Sequence, residues 1–131
     1  MKLLLDTHIW LWSLLDSEKL SLSVREALRV TANELWLSPI SLWEVILLCE
    51  RGRLDLDLPV ENWIDEALRK APMSEAPLTH RIVRQSRRVR LAHRDPADRF
   101  LIATAQALDL TLVTADERLI VYTGIRVLAN R

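Results

Sequence analysis

Short unbroken apolar runs alternate along this chain with longer stretches of helical period. The runs are Leu3-Leu4-Leu5, Leu35-Trp36-Leu37-Ser38, Met73 to Ala76 between Pro72 and Pro77, Leu110 to Thr114, and Ile125 to Leu128. Runs this short, with no polar alternation, suit strands covered on both faces, as in a parallel sheet. Between them, Thr7 to Leu15, Leu22 to Val30, Pro39 to Glu50, Val60 to Lys70, Thr79 to Arg90, Pro96 to Leu108 and Glu117 to Tyr122 read as helices. Strands alternating with helices predict the α/β class: a three-layer α/β/α sandwich around a mostly parallel sheet of about five strands.

The helix boundaries carry their own chemistry. Asp95 is a natural N-cap, and Pro96 fits the first helical position, where a missing N–H costs nothing. Ser41 and Glu44 have capping-box spacing, and Gly52 suits a left-handed cap after the third helix. That helix is apolar nearly all round through Val45, Ile46, Leu47 and Leu48, so it is either deeply buried or turned to a partner. Trp10, Trp12 and Trp43 extend the same alternative; at least two of them are expected in the core.

Composition narrows the picture only in places. The 131 residues make one domain, expected over 1–131, with enough chain for a proper core. Lysine plus arginine equals aspartate plus glutamate at 18 each, so only the distribution of charge bears on a polyanionic partner. One cysteine, Cys49, excludes an internal disulfide and points to a reducing compartment. Asp6 and His8 interrupt the apolar start, no small-residue cleavage site follows, and no segment has the ~20 apolar residues of a membrane span. The expectation is a cytoplasmic protein without membrane association.

Acids sit where strands end and helices begin. Asp6 follows the first run, Asp116 the fourth; Glu44 and Asp98 stand in helices that open toward the same edge. Taken singly, Asp6, Asp95 and Asp116 read as N-caps, Asp98 as a first-turn charge and Glu44 as the return arm of a capping box. Taken together, four carboxylates on one sheet edge repel one another unless a cation joins them. Oxygen-only clusters suit hard divalent ions, and such sites activate water against phosphodiesters. The competing chemistries lack their residues. Only Gly52 and Gly124 are present, so there is no P-loop or dinucleotide fingerprint, and His8, His80 and His93 are too scattered for zinc. Seven arginines, at 81, 84, 87, 88, 90, 94 and 99, lead into the acid-bearing helix. Arg94 and Arg99, beside the acids, are the candidates for holding phosphates; Arg81, Arg84 and Arg88 fit a solvated helix face equally well. His93 suits a hydrogen bond at the helix start.

Four stretches then resemble, in order and spacing, the acidic motifs of PIN domains: Leu-Leu-Leu-Asp-Thr-His, Ser-Leu-Trp-Glu-Val, Asp-Pro-Ala-Asp-Arg-Phe-Leu-Ile-Ala-Thr-Ala and Leu-Val-Thr-Ala-Asp. They span Asp6 to Asp116, nearly the whole chain, and the compact form is most similar to VapC-type toxins of bacterial toxin–antitoxin pairs. The resemblance implies a five-stranded parallel sheet flanked by helices and a Mg²⁺- or Mn²⁺-dependent endoribonuclease that leaves a 5′-phosphate and a 3′-hydroxyl. It also implies inhibition by a small cognate antitoxin, and a homodimer. Carried over by position, Asp6, Glu44 and Asp98 are the principal metal-side acids, and Asp116 helps hold a second ion or a water. Thr114 supports the site by hydrogen bonding, and Asp95 is a cap or outer support. A catalytically silent binding module on the same fold is the alternative.

Overall fold

The computed structural model describes residues 1–91 and 95–131. Five parallel strands form its sheet in the order β3-β2-β1-β4-β5: β1 (Lys2–Leu5), β2 (Glu34–Leu37), β3 (Ser74–Glu75), β4 (Thr111–Thr114) and β5 (Arg126–Ala129). The helices are α1 (Thr7–Leu15), α2 (Leu22–Arg29), α3 (Pro39–Glu50), α4 (Val60–Lys70), α5 (His80–Ser86), α6 (Pro96–Leu108) and α7 (Glu117–Ile120), with a 3-10 turn at Ser17–Lys19. The predicted α/β class and the five strands are both observed.

Neighbouring residues of the buried strands feed two cores, because successive side chains leave a strand on opposite faces. Leu3, Leu5 and Val113 join Ile9, Trp10, Val24, Val45 and Trp63 on the α1–α4 side; the rings of Trp10 and Trp63 meet edge to face with centroids 5.4 Å apart. Leu4 and Leu112 join Ile82, Leu101, Ile102 and Leu119 on the other side. Full burial of Leu3, Leu4 and Leu5 explains why β1 carries no polar residue between Lys2, which is exposed, and Asp6. Of Trp10, Trp12 and Trp43, only Trp10 is fully buried; Trp12 is partly buried against the core and Trp43 is exposed.

The chain turns to one side of β1 for β2 and β3, and to the other for β4 and β5. The carboxyl ends of β1 and β4 are therefore a topological switch point, the crevice where open α/β sheets bind their ligands. Asp6 sits there, its N–H donating to the Val113 carbonyl (3.0 Å) and prolonging the β1–β4 ladder by one residue.

Two local expectations are corrected and one is met. The cap of α3 is Ser38, whose Oγ accepts from the Ile40 N–H (3.1 Å), rather than Ser41. Pro39 takes the first helical position and so fixes the cap one residue earlier. Ser41 is instead fully buried inside the helix, and Glu44 stands in its second turn. Helix α5 ends at Ser86, short of Arg90: Ser86 Oγ donates back to the Val83 carbonyl, and Arg87, Arg88 and Val89 continue in i−3 bonds. Arg88 thus lies outside the helix on which it was expected to form a stripe. Gly52 has the left-handed φ of +67° expected of it.

Candidate active site

Asp6, Asp95 and Asp116 are all helix caps, as their positions suggested. Asp6 Oδ1 accepts from the Thr7 N–H (2.8 Å) at α1, Asp95 Oδ1 from Ala97 N–H (3.0 Å) at α6, and Asp116 Oδ1 from Arg118 N–H (2.9 Å) at α7. The structure also brings these caps together. One cavity of about 470 Å³ is lined by Asp6, Glu44, Asp95, Asp98 and Asp116, with His8, Trp12, Ala115 and Arg118. Capping and clustering are thus compatible: each of these carboxylates both caps its helix and lines the cavity.

Each side chain has identifiable support. Thr114, fully buried at the end of β4, donates to Asp6 Oδ2 (2.6 Å) and accepts from the Asp116 N–H (3.1 Å), tying two of the acids to one hydroxyl. Thr7 Oγ1 donates to Glu44 Oε1 (2.6 Å) and lies 2.8 Å from Ser41 Oγ, linking α1 to α3. Contact between α3 and α6 sets Glu44 opposite Asp98, which is buried in the first turn of α6. Arg118 lays its guanidinium on Asp116, with Nε 3.1 Å from Oδ1 and a terminal nitrogen 2.9 Å from Oδ2.

The electrostatics follow from this crowding. Burial pushes the Asp6 carboxyl up, against hydrogen bonds from Thr114 and Thr7 and the nearby His8 that favour its charge; Asp116 pushes it further up. Glu44 is raised to about 7, first by burial and then by the negative charges of Asp6, Asp95 and Asp98, while the Thr7 hydroxyl opposes the rise. Buried carboxylates that also repel one another favour a proton or a cation among them. The donor set is all oxygen, the kind that hard divalent cations take. As placed, however, no three acids, histidines or cysteines among the described residues surround a single point. Protein donors hold several of them instead: Thr7 on Glu44, Thr114 on Asp6 and Arg118 on Asp116.

Of the two arginines singled out by sequence, Arg94 lies outside the described residues, as does His93. Arg99 is half-buried on α6, is not among the cavity's lining residues, and its Nε is buried without a partner among the described residues. Sequence reasoning missed Thr7, His8, Trp12 and Arg118. His8 and Trp12 stand four apart on α1, rings 5.8 Å between centroids, so their spacing alone placed them on one face behind Asp6. A larger hollow, about 900 Å³, lies elsewhere, between the ends of α1 and α4 and the 55–58 loop; it carries Asp55, Asp57, Asp65 and Glu66 over Leu14, Leu56 and Trp63.

A parallel α/β domain with carboxylates gathered at the sheet's switch point is the class these features define. The same fold occurs in VapBC2 from Rickettsia felis, solved bound to a fragment of promoter DNA (TM-score 0.74, 17% identity, 98% of both chains). It occurs also in DNA-bound VapBC from Salmonella typhimurium (TM-score 0.73, 20% identity, 98% of both chains). In sequence, the chain is 32% identical over 119 residues to the ribonuclease VapC22 of Mycobacterium tuberculosis, covering 88% of each. The model of the PIN domain matches residues 3–124, and the chain belongs to the PIN domain family.

Proposed function

We propose that this chain is a metal-dependent endoribonuclease, one domain over residues 1–131, acting as the toxin of a toxin–antitoxin pair. The observation that carries the reading is the convergence of Asp6, Glu44, Asp98 and Asp116 on one cavity, with Glu44 raised to about 7 by burial and by its acidic neighbours. Asp6, Glu44 and Asp98 would hold a Mg²⁺ or Mn²⁺ ion, and Asp116 a second ion or a bound water. When bound, the metal supplies an activated water and neutralises the leaving oxygen of a phosphodiester. The remaining work falls to this chain's own groups. Thr114 fixes the Asp6 carboxylate, Thr7 fixes Glu44, and Asp95 holds the start of α6 so that Asp98 faces the others. Hydrolysis leaves a 5′-phosphate and a 3′-hydroxyl. Arg94 and Arg99 are the proposed holders of RNA phosphates.

The toxin role, the cytoplasmic setting, a cognate antitoxin and a homodimer are proposed from the kinship with VapC22 and from the VapBC assemblies that share the fold. No helix among the described residues is long and apolar enough to cross a membrane. The test is cleavage of a structured RNA pool by the purified chain with Mg²⁺, with Mn²⁺ and with EDTA, beside Asp98→Asn. Metal-dependent cutting that the variant loses supports the reading. A folded, partner-free chain that cuts with neither metal turns it to a silent binding module.

A further inference from the structure

Arg118 borders two hollows. On one side it lines the acid cavity; on the other it lines a second hollow of about 520 Å³, together with Arg90, Leu91, Val121, Tyr122 and Gly124. The two differ sharply in character. The acid cavity gathers five carboxylates, whereas the described residues lining the second hollow include two guanidiniums and no acid. Arg90 is exposed and Val121 is 70% exposed, so both cationic and apolar surface is offered to a ligand there.

Tyr122, the chain's only tyrosine, is half-buried in the same wall. Its ring lies against Gly124: a methyl at that position would come within 2.6 Å of the ring edge. Gly124 does not need its glycine for backbone reasons, since Gly52 is the glycine with positive φ. Its missing side chain makes room for the tyrosine ring. Aromatic rings beside arginines are the common means of holding single-stranded nucleic acid, the base on the ring and the phosphates on the cations.

Arg118 also has the freedom that such a task needs. Its side chain is 57% exposed, so solvent screens the ion pair with Asp116 and reaches the guanidinium. From that position the guanidinium can turn from one oxyanion to another. We propose that the hollow of Arg90, Tyr122 and Gly124 is an RNA subsite for a nucleotide flanking the one cut in the acid cavity. Its base stacks on Tyr122, and the phosphate between the two sites is held by Arg118. The proposal rests on the nuclease reading above and extends it by naming single-stranded RNA as the form bound and the path it takes.

The experiment uses a fluorescein-labelled single-stranded A10 oligoribonucleotide, Mg²⁺, and the Asp98→Asn chain so that the strand stays whole. Fluorescence anisotropy then compares Tyr122→Ala, Tyr122→Phe, Gly124→Ala and Arg90→Gln in that background. Loss of one stacked base weakens binding roughly tenfold or more. Tyr122→Ala and Gly124→Ala are expected to show that loss, and Tyr122→Phe to bind as the parent does. Arg90→Gln is expected to weaken binding and flatten its salt dependence. Because there is one tyrosine, ¹³C-tyrosine labelling reports the ring directly, and its signals should move when A10 is added. Binding unchanged in Tyr122→Ala, Gly124→Ala and Arg90→Gln, with the tyrosine signals still, overturns the subsite while metal-dependent cutting by the native chain leaves the nuclease standing. A native chain that neither binds nor cuts RNA overturns both.

Discussion

Among the described residues, the 900 Å³ hollow and the 470 Å³ cavity both gather several carboxylates, and the larger is the less equipped for chemistry. Around the 900 Å³ hollow, Asp55, Asp57 and Asp65 stand exposed in water and Glu66 is held by Arg69 at 2.8 Å, which with its charge lowers the Glu66 pKa. Each acid there is solvated or paired, so nothing is gained by adding a cation. In the 470 Å³ cavity the acids sit at strand ends and in the first two turns of helices, where burial first, and like charge after it, push Asp6 and Glu44 up. Size and acid count do not distinguish the two. Confinement by a sheet edge does, because it fixes like charges at a distance they would not choose.

The contrast breaks most plainly by substitution. Asp98→Asn removes a charge from the confined cluster and should cost about 100-fold or more in RNA cleavage, beyond the range seen for residues that only support a metal ligand. Circular dichroism should show the fold intact. Asp65→Asn, in the larger hollow, should leave the rate unchanged; parallel loss in both variants would erase the distinction. Next in size is Thr114→Val. It strands Asp6 Oδ2 and the Asp116 N–H in a buried place, so thermal melting should show a loss of about 1–3 kcal/mol. Cleavage should fall roughly tenfold at the same time.

A pH series sharpens the comparison further. Glu44 has a folded-state pKa of about 7 against an ordinary 4.5, so between those values the folded chain keeps a proton that the unfolded chain has released. In EDTA, stability should therefore fall as pH rises from about 4.5 to 7, and the melting temperature should be lower at pH 8 than at pH 5. The elevated Asp6 acts in the same sense. Glu44→Gln should flatten this dependence, and added Mn²⁺ should raise the melting temperature more at pH 8 than at pH 5. A melting temperature that climbs with pH in EDTA would sink this account. The smallest effect is expected at Arg99, which does not line the cavity: Arg99→Gln should weaken RNA binding less than Arg118→Gln.

Much of this was legible in the chain before any coordinate. The strands were, because unbroken runs such as Leu3-Leu4-Leu5 and Leu112-Val113 have no use outside a covered sheet. Asp6, Glu44, Asp98 and Asp116 were, because acids recur where such runs and helices meet. What was hidden depends on contacts between elements distant in sequence. Thr7 acquires its role only when α3 brings Glu44 across, 37 residues away. Arg118 could not be told from the chain's fourteen other arginines until α7 folded it onto Asp116. Arg84 and Arg88 read as one stripe because helical spacing continues past Ser86, whereas a single side-chain bond to the Val83 carbonyl accompanies the end of the helix there.

The double service of the caps has an evolutionary corollary. Asp6, Asp95 and Asp116 each start a helix, so selection for folding alone would preserve them in a descendant that had ceased to cut RNA. Asparagine would serve those positions nearly as well, since it caps a helix without the charge. Glu44 and Asp98 enjoy no such protection: one stands in a second helical turn, the other behind a cap already supplied by Asp95. In a lineage drifting away from catalysis these two would decay first, and their fate, more than that of the aspartates at the strand ends, would tell a living enzyme from its fossil.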